Sequence, residues 1–162
     1  NTDFFASLKS CRMLLNSVGV YLVYREAIGN AKVRGALTSS EGHPTIYISG
    51  RYKTHGDAWF ALCHELGHLL DGFDFKKTGV SMDDADELKS EDEADVRANA
   101  YARDFFVDST SYDQFVNTGG FSSASIKNFA AEQGIAPGII VAFLQHDRRI
   151  GFDEFNYLKD RF

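Results

Sequence analysis

The chain has 162 residues, a formal net charge of −6, 44% apolar residues and only two cysteines, Cys11 and Cys63. That length predicts one domain burying about two-thirds of its unfolded surface, so no disulfide or metal is needed to staple a core. Two distant cysteines make no disulfide framework and suit a reducing compartment. No apolar run approaches the roughly 18–20 residues that span a bilayer, and no signal-peptide pattern opens the chain. A cytoplasmic protein is expected. The sequence opens Asn-Thr-Asp-Phe-Phe without Met, as expected of a domain cut from a longer chain. Acidic residues mass between Asp83 and Asp95. The basic clusters, Arg51 to Lys53 and Arg148-Arg149, read as solvated surface, so direct nucleic-acid binding is not expected.

In chain order, Phe4, Phe5, Leu8, Cys11, Leu15 and Val18 fall at helical spacing and predict a helix over 3–18, closed by Gly19. Three short β-like runs follow. They are Val20 to Tyr24, Lys32 to Leu37 after a Gly29-Asn30 turn, and Thr45 to Ser49 after Gly42-His43-Pro44. Together they predict a small antiparallel three-stranded meander. A strong helix runs from about His55 to Leu70, with Thr54 and Asp57 as a capping box and Asp71-Gly72 as its stop. Residues 73–89 read as an acidic loop. A second strong helix starts at Ser90, with Glu93 as its capping acid, and ends near Val107. Shorter helices are expected at 111–116, 123–133 and 138–146, and the tail from Phe152 to Phe162 shows a helical pattern. The fold class is α+β, mostly helical.

Inside the first strong helix stands His64-Glu65-Leu66-Gly67-His68, an H-E-x-x-H motif. Positions i and i+4 lie one turn apart, so both imidazoles can converge on one zinc ion while Glu65 reaches a water as general base. Trp59, Leu62, Cys63, Leu66, Leu69 and Leu70 form one apolar stripe. His64 and His68 lie on the other side with Phe60, Ala61 and Asp71, and no Lys or Arg occurs between 58 and 72. A helix covered on both sides needs a polar reason for two histidines.

The second helix supplies the third ligand. Its core face is set by Ala98, Tyr101, Ala102 and Phe105, and one turn back that face reaches Asp95 and then Glu91. These two acids are the candidates. Asp92 and Glu93 are assigned to a solvated helix start, and Asn99 is placed to hydrogen-bond a ligand.

The run Phe60 to Leu70, the run Asp95 to Asp108 and the stretch Leu144 to Lys159 together resemble the ImmA/IrrE family of bacterial metallopeptidases. The resemblance spans roughly residues 45–162 and includes the approach through Arg51-Tyr52-Lys53 seen in members resembling HigA-type antitoxins. It implies a thermolysin-like zincin fold and limited cleavage of a helix-turn-helix repressor controlling phage, mobile-element or stress genes. It also implies that such a repressor-like domain is sometimes fused upstream. Two positions depart from the family pattern: its metal-binding Glu falls on Asp95, and the proline ending that helix is Asp108. A shorter acid requires the helices to approach more closely or Glu91 to substitute. A second reading follows, in which the chain is a non-catalytic metal-binding antitoxin or sensor module that holds a regulator without cutting it.

Among the remaining residues, His146, Tyr52 and Arg148 are candidate stabilisers of a tetrahedral oxyanion. Asp71 is a candidate to orient an imidazole or to end its helix. Cys63 reads as a small hydrophobe, and His43 and His55 as structural or solvated.

Overall fold

The computed structural model describes residues 3–26, 33–51, 53–75, 80–84 and 93–162, with 80–84 described by their backbone. Asp3 caps helix α1 (Phe4–Ser17) by accepting from the Phe5 and Ala6 amides. Strands β1 (Tyr21–Arg25), β2 (Val33–Ser40) and β3 (His43–Ser49) follow, then helix α2 (His55–Leu70) and strand β4 (Val80–Asp84). Helices α3 (Glu93–Phe106), α4 (Ser109–Asn117), α5 (Ser123–Glu132) and α6 (Pro137–His146) complete the chain, with a short 3-10 turn at Asn156–Leu158. The α+β class and the mostly helical content are those expected.

The sheet is larger than the meander expected, and it is mixed. Its order is β1-β3-β2-β4, with β1 parallel to β3 and the other pairs antiparallel. The β2–β3 hairpin turns through Glu41 and Gly42, both at positive φ (52° and 82°), which suits the right-handed twist of the strands. Because β1 pairs with β3 rather than β2, Leu22 lies in register with Ile46, itself in register with Leu37. All three are buried. β4 arises from the segment read as a loop and pairs with β2.

Helix α2 is the axis of the fold. One side, through Ala58 and Leu62, packs into a core with Phe4, Leu8, Leu22, Leu37, Ile46 and Ile48. The other, through Phe60 and Cys63, packs into a second core with Ala102, Tyr112, Phe129, Ile140 and Phe143. The expected coverage on both sides is therefore present, but Leu70, assigned to the apolar stripe, is 67% exposed at the helix end.

Thr54 caps α2 as expected: its hydroxyl accepts from the Asp57 amide and donates to the Asp57 carboxylate. Lys159 adds an ion pair to Asp57 at 3.2 Å, and Phe162 stacks on Phe4 at 4.0 Å. The tail thus clamps the start of α2. It does so through turns at 152–155, the 3-10 turn and an extended end at 160–162, not as the continuous helix its spacing suggests. The buried Gln145 amide donates to the carbonyls of Phe152 and Glu154 and to the Asn156 side chain, and Phe155 takes a left-handed φ of 55°. Those carbonyls are drawn out of a helical ladder.

Candidate metal centre

His64, Glu65 and His68 are 3%, 0% and 5% exposed, on the stretch of α2 that faces α3 and the sheet. The two Nε2 atoms lie 3.0 Å apart. Asp95, in the first turn of α3, brings its Oδ1 to 3.2 Å from His68 Nε2 and 3.9 Å from His64 Nε2. Three donor atoms from two helices therefore converge on one point. An ion with bonds of about 2.0–2.1 Å holds tetrahedral ligands roughly 3.3 Å apart, and the three separations bracket that value. The residues present fit a small divalent cation.

The tautomer of His64 follows from its neighbour. Its Nδ1–H donates to Asn99 Oδ1 at 2.7 Å, an acceptor only, so Nε2 keeps its lone pair for the ion position. Asn99 is 8% exposed and stands one turn beyond Asp95 on α3.

A short acid reaches the imidazoles because the two helices nearly touch. A Cβ added at Gly67 would lie 2.9 Å from the Ala98 Cα. The buried face of α3 is Ala98, Asn99 and Ala102. Tyr101 and Phe105, assigned to that face by their spacing, are 36% and 65% exposed. The helix is rotated toward Asn99 because Asn99 bonds His64 and Ala98 fills the Gly67 gap.

Glu65 points to the sheet. A Cβ at Gly35 of β2 would sit 2.9 Å from Glu65 Oε1 and 3.2 Å from its Cγ. Gly35 and Gly67 are site residues that the sequence reading missed; an isolated glycine inside a strand or a helix is the signal that marks such close approaches. The site opens at Asp95, whose side chain is 40% exposed. The Phe73 ring lies 6.5 Å from that of His68.

Glu91, Tyr52 and the Ser90 helix start lie outside the described residues. Asp71 ends α2 and accepts two hydrogen bonds from Arg97, at 2.9 and 2.8 Å, which with its charge hold the Asp71 carboxyl below its ordinary range. In those hydrogen bonds it serves the α2–α3 contact, not an imidazole. His146 packs on Phe60 with ring centres 4.8 Å apart, and Phe60 is 6.3 Å from His64, so its path to the site runs through that ring. Arg148 follows α6 in a left-handed turn. Cys63 is buried, and burial pushes its thiol up to about 12. It is a packing residue with an inert thiol. His43 bonds the Gly19 carbonyl, and His55 packs against Phe4. Asp108, standing at the family's proline position, caps α4 through the Ser111 amide.

Two histidines one turn apart, a carboxylate from a second helix and a buried glutamate between helix and sheet are the layout of an H-E-x-x-H metal centre in an α+β protein. Residues 17–135 match the family described as the IrrE N-terminal-like domain, peptidase family M78, and the chain belongs to that family. It is a family of metallopeptidases. No curated protein matches the chain. No helix among the described residues is long and apolar enough to cross a membrane.

Proposed function

We propose that the protein is a zinc-dependent endopeptidase that makes limited cuts in a helix-turn-helix transcriptional repressor. The observation that carries the peptidase reading is the convergence of His64, His68 and Asp95 beside the buried Glu65. Two imidazoles and one carboxylate form a donor set that suits zinc and leaves a coordination position for water or substrate. Bound there, the ion would polarise the scissile carbonyl and lower the pKa of the attacking water to about 7.

The chain's own residues do the rest. Glu65 takes the proton of the attacking water and passes it to the leaving amide nitrogen, the work of a general base turned general acid. Burial against Gly35 holds that carboxylate in place. Asn99 fixes the His64 tautomer. The histidines are recessed and Asp95 marks the opening, so an extended or locally unfolded segment suits the site better than a folded surface. That favours limited cleavage. The repressor as substrate is supported by the sequence resemblance and by membership of the family.

The test is incubation of zinc-loaded protein with helix-turn-helix repressors from the same genome, those in flanking genes first. Wild type is expected to cut, and Glu65→Gln to keep fold, zinc and binding while cutting about 10²–10⁴-fold more slowly. If both bind equally and neither cuts over long incubation, the chain is the non-catalytic antitoxin or sensor module instead.

A further inference from the structure

Asp95, Asn99 and Arg103 occupy successive turns of one side of α3, and each reaches a different part of the molecule. Asp95 meets the imidazoles, and Asn99 bonds His64. Arg103 bonds Asp147, Nη1 to Oδ2 at 3.1 Å. Asp147 is the residue that ends α6, and its Oδ2 also accepts from the Tyr112 hydroxyl of α4 at 2.9 Å. The Arg103 guanidinium lies over the Tyr112 ring, 5.5 Å from its centre. His146 Nδ1 stands 3.6 Å from the other carboxylate oxygen. Arg103 and Asp147 are only 26% and 23% exposed in their side chains, so the pair is shielded from the solvent that weakens surface ion pairs.

The Asp95 carboxylate is separated from Cα by the Cβ alone, so its position follows the helix backbone closely. Ligand geometry tolerates errors of about 0.5 Å. The Gly67–Ala98 contact sets how near α3 comes to α2, but two such small residues offer little resistance to rotation or sliding. Arg103 lies about 12 Å along the axis from Asp95, and its partner caps the end of α6, a helix buried along most of its length. Such a distant anchor restrains both motions.

We propose that Asp147 and Arg103 are positioning residues for the metal site: their ion pair sets the rotation of α3 and so holds Asp95 against the two imidazoles. The inference rests on the metal-centre reading.

The experiment uses the full chain, stripped of metal, with zinc affinity measured by competition against a chromophoric chelator. Cobalt(II) in place of zinc adds a visible spectrum that reports the ligand set. Asp147→Asn and Arg103→Met are each expected to weaken zinc binding about 10-fold or more, within the range for groups that orient ligands, and to shift the cobalt bands. The double variant should be no worse than either single one, and Arg103→Lys should recover part of the loss. Leu8→Ala, a change on α1 in the other core, controls for lost stability: it should lower Tm while leaving affinity and spectrum unchanged. Should one of the two variants fail to fold, the other carries the comparison with Leu8→Ala. Wild-type affinity and spectrum in Asp147→Asn or Arg103→Met would overturn the proposal, as would a loss matched by Leu8→Ala. If the wild-type chain takes up neither metal, the metal-centre reading falls and this inference with it.

Discussion

Gly35 has no side chain, and for that reason the Glu65 carboxylate has somewhere to lie. Replacing that hydrogen with a methyl group places carbon 2.9 Å from Oε1, closer than the pair tolerates, and Glu65 is fully buried with little room to retreat. Gly35→Ala is expected to keep the metal, because neither His64 nor His68 is touched, and to lower the cleavage rate roughly 10-fold or more by displacing the general base. Zinc content and cleavage rate measured on one preparation check this; unchanged cleavage would remove Gly35 from the site. His64, Glu65 and His68 were legible in the sequence because i and i+4 must share a helix face. Asp95 was legible because an acid one turn before Ala98 needs a cation if that face is buried. The glycines were not, since a residue that acts by its absence leaves no periodic mark. Tyr101 and Phe105 misled because large apolar residues draw a helical wheel toward themselves, whereas α3 packs by its small ones.

The element that decides the site is the α2–α3 pair. Gly67 and Ala98 bring the two backbones together, which lets an acid as short as aspartate reach Nε2 of His68 at 3.2 Å. Gly67→Ala removes a flexible residue from a helix interior, a change worth about 1 kcal/mol in favour of the helix when nothing opposes it. Here the added methyl meets backbone, and overpacking of this kind costs typically about 1–3 kcal/mol. The variant should melt no higher than wild type and bind zinc more weakly; higher Tm with full affinity would show that the contact is not limiting. Helices α1 and α2 and those of the C-terminal half were readable from caps and spacing. Strand order was not, because pairing β1 with β3 rather than β2 is settled by which arrangement buries Leu22, Ile46 and Leu37 together. β4 hid in a segment whose acidic composition resembles a loop until β2 supplies it with partners.

Across the whole molecule, two cores share α2; the tail packs against both, and the Asp147 node joins α3, α4 and the end of α6 within the second. Burial alone would raise the Asp147 carboxyl, but hydrogen bonding from His146, the Arg103 charge and the Tyr112 hydroxyl outweigh it and hold it below the ordinary range. A carboxyl depressed in the folded state stabilises the fold at every pH above its unfolded value, about 3.9, and loses that contribution as pH falls through the folded one. Asp147→Asn should therefore be less stable than wild type near neutrality, by about 1–3 kcal/mol for a charged hydrogen-bonded group. The gap should hold down to about pH 4 and close below it. Urea unfolding from pH 3 to 7 reads this directly, and a gap that stays constant throughout would contradict it.

The central claim is that His64, His68 and Asp95 together hold one divalent ion. Elemental analysis of protein purified without chelator, beside His64→Ala/His68→Ala prepared identically, tests it most directly. Close to one zinc per chain in wild type and a trace in the double variant is the predicted result; the same trace in both would leave the histidines structural and the account without its centre.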